Sequence, residues 1–221
     1  MAVNLVVVSD PTSPAAEAYR RLRVNLMSAL PQEAPLQVLL VAAAAPDPDK
    51  ASTVANLAVA FARVGKRVIL ADCDLRHPAL HTLLGLANDT GVTTLLDGDA
   101  EAELPLQPTE IPNLRVLTSG PAVLVPSDSI ASPAMAGLIA RLRQEADVVL
   151  FDAPPVVLAT DAAELATQVD GVLLTVSAGR TKRDDAQRAV QLLQRVGARL
   201  VGAALVNLPV DADQRRYLAA S

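Results

Sequence analysis

VLLVAAAAPDPDKAST (38–53), VILADCDLR (68–76) and VVLFDAPP (148–155) decide how this chain folds. Each opens as an aliphatic run without polar alternation and then runs into Asp or Lys. Runs of that kind fit strands buried on both faces, as in a parallel sheet covered by helices, and not the in–out alternation of a half-exposed strand. GVLLTVS (171–177) and LVGAALVN (200–207) repeat the pattern, and stretches of helical period lie between the runs. Ser13-Pro14 supplies an N-cap and a first-turn proline for a helix to about Leu30. A second helix is expected from about Ser52 to Val64, stopped by Gly65. A third covers Pro133–Glu145, and a fourth covers Lys182–Val196, ended by Gly197. The Pro-, Asp- and Thr-rich region 85–131 reads as short helical turns around one strand at Leu114–Thr118. The expected fold is α/β, a doubly wound and mainly parallel sheet with helices on both faces.

The composition suits this fold and excludes others. The 221 residues are 51% hydrophobic but only 2% aromatic, so the core is built from Ala, Val and Leu and is large enough to exclude disorder. Nineteen Lys plus Arg against 24 Asp plus Glu give a net charge of −5, which argues against nucleic acid as a partner. A single cysteine, Cys73, excludes a disulfide framework and suits a reducing compartment. It is read as a small buried apolar residue. The start, MAVNLVVVSDP, lacks the pattern of a secretion signal, and the longest apolar run (38–45) is far short of the ~20 residues of a membrane span. The expected location is cytoplasmic, with any attachment to the inner membrane made through a partner.

In an open parallel sheet, ligands bind at the carboxyl edge, where the order of strands reverses. The three quoted stretches end at that edge. A strand, a loop ending in Lys50 and a helix starting at hydroxyl residues have the layout of a phosphate-binding loop. Asp72, Asp74 and Asp152 stand where metal-coordinating or water-positioning carboxylates would stand, although strand-end Asp also serves as ordinary turn chemistry. Lysine is rare in this chain, confined to Lys50, Lys66 and Lys182, so its use at the end of the loop stands out. His77 and His81 are four apart but have no evident third ligand, which favours a surface helical turn over a metal site.

These motifs resemble the cytoplasmic kinase domain of the bacterial tyrosine kinases that regulate capsule and exopolysaccharide export, within the P-loop NTPases. The resemblance runs from Asp10 to about Asn207. DPTSPAAEAYRRLRVNL is similar to the family's entry helix, in which Glu17, Arg20 and Arg23 match a Glu-x-x-Arg-x-x-Arg oligomerisation motif; the alternative is an exposed ion pair one helical turn apart. VILADCDLRHP, with Asp72, Asp74 and Arg76, matches the family's second Walker motif, and VVLFDAPPV matches Walker B with Asp152. The implied organisation is a single domain over 1–221: an oligomerisation region at 1–34, a core at 35–208 and a tail at 209–221. For an active enzyme the resemblance implies Lys50 on the β- and γ-phosphates and Asn207 at the adenine, with Ser52 and Arg180 completing the nucleotide set. Asp72 would assist the attacking tyrosine hydroxyl, and Asp74 with Asp152 would organise Mg²⁺. Tyr217 falls where the family keeps phosphorylated tyrosines.

The departure lies in the loop. The family's Pro-Gly-Glu-Gly-Lys-Ser-Thr falls without a gap on Pro46, Asp47, Pro48, Asp49, Lys50, Ala51 and Ser52. Glycine permits the tight curve that turns successive N–H groups on an anion, and Pro48 has no N–H to offer. Each carboxylate ~4 Å from a phosphate opposes it by ~1 kcal/mol in water and ~4 kcal/mol at an effective dielectric of 20. Ala51 removes the hydroxyl that would ligate Mg²⁺, and Ser52, one position along the helix, points ~100° away. Lys50 is therefore expected to pair with Asp47, Asp49 or Asp152.

The function expected is that of a pseudokinase with no bound cofactor. It would act as a regulatory scaffold, as a homo- or hetero-oligomer on a membrane polysaccharide co-polymerase or transmembrane activator. The first alternative is an active tyrosine autokinase using ATP and Mg²⁺. The second is a partition or cell-division ATPase, whose extra loop lysine is here Ala45.

Overall fold

The computed structural model describes residues 5–29, 36–98 and 102–208. In chain order the elements are α1 (Val6–Ser9), α2 (Pro14–Met27), β1 (Val38–Ala43), α3 (Lys50–Ala62), β2 (Val68–Asp72), α4 (Leu80–Leu84), α5 (Val92–Asp97), β3 (Gln107–Pro108), β4 (Leu114–Leu117), α6 (Pro126–Ala131), α7 (Pro133–Glu145), β5 (Val148–Ala153), α8 (Asp161–Ala166), β6 (Gly171–Ser177), α9 (Arg183–Arg195) and β7 (Leu200–Val206).

The strands form one seven-stranded sheet in the order β3-β4-β2-β5-β1-β6-β7. Every pairing is parallel except that of the edge strand β3 with β4. β1, β2 and β5 are buried along their whole length, which explains why the sequence reads as unbroken apolar runs. Alternate residues of β1 serve opposite faces. Val38, Leu40 and Ala42 pack with α5 to α9, whereas Leu39 and Val41 pack with α1 to α4. The chain's two phenylalanines are divided between these layers, Phe61 in one and Phe151 in the other, and both are fully buried.

Local signals hold at most boundaries. Ser13 accepts the N–H of Ala16 at 3.2 Å as the cap of α2, with Pro14 following. Gly65 and Gly197, after α3 and α9, take positive φ values of 81° and 71°, which glycine adopts without the clash a Cβ would bring. Two expectations are corrected. The helix after the loop starts at Lys50, not Ser52, because the Thr53 N–H already bonds the Asp49 carbonyl at 2.9 Å. α2, expected to reach about Leu30, stops at Met27, with Ser28 as its C-cap.

Register brings the strand ends together. Val41 of β1 lies beside Asp152 of β5, and Asp152 lies beside Asp72 of β2. The loops after β1, β2 and β5 therefore open at one edge.

Candidate functional site

Lys50 is the first residue of α3, and its side chain turns back across the sheet edge. Its Nζ donates to Asp152 Oδ1 at 2.6 Å, to the Ala153 carbonyl at 2.7 Å and to Asp74 Oδ2 at 3.0 Å. An ammonium group has three donors, and all three are engaged. The cluster is dry: the Lys50 side chain is 8% exposed, Asp74 4% and Asp152 1%. Burial pulls the lysine toward neutrality, but the charges of Asp152 and Asp74 outweigh it and hold the ammonium above its ordinary value.

Asp72 lies beside this group with a different set of bonds. Its Oδ2 accepts the N–H groups of Ala79 (3.1 Å) and Leu80 (3.0 Å), and its Oδ1 accepts that of Asp74 (3.2 Å). It thereby ties the segment between β2 and α4 to the end of β2. Three buried carboxylates around one cation leave excess negative charge, and protons are the natural relief. Burial, aided by the charge of Asp152, pushes Asp72 up to about 7. Burial pushes Asp152 up to about 6 against the opposing pull of Lys50, and its Oδ2 is buried with no partner.

Asp47 and Asp49 do not meet Lys50. Asp49 Oδ2 accepts from Arg180 Nη1 at 2.6 Å and from Asn207 Nδ2 at 3.2 Å. Asp47 Oδ1 receives the Asp49 N–H at 3.1 Å and faces the same Arg180 nitrogen at 3.5 Å. Of the three partners expected for Lys50, only Asp152 is found; Asp74 takes the place left by the loop carboxylates because Arg180 neutralises those. Pro48 is exposed, and Ala51 is buried in the apolar layer beneath α3. The Ser52 hydroxyl donates to the Asp49 carbonyl at 2.8 Å, within the first helical turn. Among the described residues, no group of three or more His, Cys, Asp or Glu is arranged to hold a metal ion.

The α2 residues lie apart from this cluster. Glu17 accepts from Arg20 at 2.7 Å and lies 3.6 Å from Arg21 on the same helix, while Arg23 Nε is buried without a partner. Cys73 is buried, and burial pushes its thiol well up. His77 is exposed, and His81 pairs with Thr82. Tyr217 lies outside the described residues.

Several supporting contacts went unread in the sequence. Asp161, at the start of α8, accepts a two-pronged bond from Arg76 at 2.9 and 3.0 Å. Asn56 accepts the Val7 N–H at 3.0 Å and donates to the Ser52 carbonyl at 2.8 Å, fastening α1 to α3. Its signal is visible afterwards: a lone amide inside the aliphatic run ANLAVAFA (55–62) must find partners once buried. Burial pushes the hydroxyl of Tyr19, on α2, up; hydrogen bonding to Thr53 opposes this, and the nearby charges of Asp49 and Asp47 add to it.

A lysine at the start of a helix, facing carboxylates at the ends of adjacent parallel strands, defines the architecture of a P-loop NTPase. A family model described as ParA, NUBPL iron-transfer P-loop NTPase, matches residues 37–208. The chain is 35% identical over 200 residues to tyrosine-protein kinase YwqD of Bacillus subtilis (strain 168), covering 90% of this chain and 84% of that protein. The kinase domain of Escherichia coli tyrosine kinase ETK superposes with a TM-score of 0.89 at 27% identity, covering 96% of this chain and 83% of that one. The chimerical protein CapA2B2 gives 0.87 at 33% identity, covering 93% and 90%. The chain belongs to the bacterial tyrosine-protein kinase family of P-loop NTPases.

Proposed function

We propose that this chain is a nucleotide-independent member of its family, a pseudokinase that serves as a regulatory scaffold in capsule or exopolysaccharide synthesis and export. The observation that carries the reading is the state of Lys50, whose three donors are engaged by Asp152, Asp74 and the Ala153 carbonyl inside a dry cluster. A phosphate would have to strip this lysine from two buried carboxylates that would then lack a cation. The loop adds two further supports. Residue 51 has no hydroxyl for a divalent ion, and Asp47 and Asp49 place negative charge where an anion would approach. As arranged, these residues do not fit Mg-ATP.

The scaffold reading includes a partner at the membrane. The partner in this reading is a polysaccharide co-polymerase or similar transmembrane protein; among the described residues of this chain no helix is long and apolar enough to cross a membrane. Glu17, Arg20 and Arg23 on α2 are the candidates for contact between copies or with that partner. The second reading, an active autokinase, is favoured by one observation, the convergence of Lys50, Asp74 and Asp152 at one edge.

Calorimetry separates the two readings. Titration with roughly millimolar Mg-ATP is expected to give no saturable heat, and incubation with ATP no phosphotyrosine. A variant carrying Asp47→Gly, Pro48→Glu, Asp49→Gly and Ala51→Ser supplies the positive comparison. Saturable binding to the unmodified chain overturns the proposal.

A further inference from the structure

The loop between β1 and α3 holds an anion of its own. The Asp47 side chain is only 2% exposed. One of its oxygens takes the N–H of Asp49 at 3.1 Å, and the other, Oδ2, is buried with no partner. Arg180, from the turn after β6, spans both loop carboxylates at 3.5 and 2.6 Å. Asn207, just past β7, donates to Asp49 at 3.2 Å and to Ser177 at 2.9 Å, and is held at a φ of 60° to do so. Three separate segments thus converge on the turn ahead of a 13-residue helix.

An N–H at such a turn, reinforced by the helix behind it and by a guanidinium in front, is what a phosphate oxyanion seeks. Here the Asp49 N–H and Arg180 both already face a carboxylate. We propose that residues 46–50 form a self-liganded loop. The Asp47 carboxylate takes the subsite of a phosphate group, and Arg180 with Asn207 clamps it shut through Asp49. The inference deepens the nucleotide-independent reading and rests on it. It adds that the subsite is filled as well as repelling, and that it would accept a phosphate or pyrophosphate group once the two side chains are removed.

The probe is inorganic pyrophosphate, read by thermal shift and calorimetry on three proteins: the unmodified chain, Asp47→Gly/Asp49→Gly, and Asp47→Asn/Asp49→Asn. The glycine pair is expected to gain saturable binding through the freed loop N–H groups and Arg180, with Lys50 left on Asp74 and Asp152, at an affinity at least about tenfold above the unmodified chain. The asparagine pair is expected to gain little, because an amide oxygen at position 47 still receives the N–H of residue 49. No gain in the glycine pair overturns the self-liganded loop while leaving the nucleotide-independent reading intact. An equal gain in the asparagine pair also overturns it, since charge alone would then be the obstacle. Binding of Mg-ATP by the unmodified chain overturns the parent reading instead. Should the glycine pair not fold, Asp47→Ala serves: the Asp49 amide is expected to exchange its hydrogen at least about tenfold faster, and an unchanged rate overturns the proposal.

Discussion

Replacing Lys50 by Met tests whether this lysine has become a structural element. In an active phosphate loop it serves the nucleotide, and removing it costs the empty protein little, within the ±0.5 kcal/mol usual for residues outside a packed or paired setting. Here, among the described residues, it is the cation paired with Asp74 and Asp152, at 3.0 and 2.6 Å in a cluster less than 10% exposed. Breaking a buried pair by removing one partner costs about 3–5 kcal/mol, because the remaining charge is stranded. The stranded carboxylates have one escape, which is to bind a proton. In the variant the folded form therefore takes up a proton that the unfolded chain, with carboxylates near 3.8, does not. A proton bound only in the folded form lowers stability as pH rises, by about 1.4 kcal/mol per unit. Lys50→Met is thus expected to lose about 3–5 kcal/mol at pH 8, and its stability is expected to fall more steeply from pH 6 to pH 8 than that of the unmodified chain, whose carboxylates keep their cation. The assay is urea unfolding followed by far-ultraviolet circular dichroism at both pH values, since the chain has no Trp. A loss below about 1 kcal/mol at pH 8, or a loss that does not change with pH, refutes the reasoning.

Two further outcomes follow from the same structure. The unmodified chain is expected to be most stable on the acid side of neutrality. Asp72 and Asp152, raised from 3.8 to about 7 and about 6, favour the folded state while protonated, and that advantage declines as pH climbs through this window. Asp170 works in the opposite sense: burial raises it, but Arg143 and the Val38 and Gln37 N–H groups outweigh burial and hold it low, so its contribution is lost in acid. Chemical denaturation across pH 4–8 checks this, and a flat profile from 5 to 8 contradicts it. Asn56→Ala is expected to lose about 1–3 kcal/mol, since the Val7 N–H is left buried without its acceptor at 3.0 Å. Hydrogen exchange should show the Val7 amide loosened first, whereas equal loosening throughout would argue against a local fastening.

Sequence made the sheet legible and left the wiring at its edge half-read, for separate physical reasons. Strands buried on both faces must be apolar throughout, so β1, β2, β5 and β6 announced themselves, and proline and glycine marked the ends of the long helices. The short helices α1, α4 and α8 and the two-residue strand β3 carry too few residues for any period to register. The edge posed a problem of choice among several cations and carboxylates at similar range. Arithmetic of charge alone would let Lys50 neutralise the loop aspartates. For Asp49 solvation decides against it: Asp74 and Asp152 are more deeply buried and, among the described residues, pair with no cation but Lys50, while Asp49 is half exposed and is met by Arg180; Asp47, as buried as they are, already receives the Asp49 N–H. A buried carboxylate gains more from a cation than an exposed one does, because the water that would otherwise stabilise it is gone. The same ordering explains why Arg180 and Asn207, which resemblance to the family casts as nucleotide contacts, turn to the loop. Once Gly is replaced by Asp at positions 47 and 49, the nearest anion to these donors is one that the chain itself supplies.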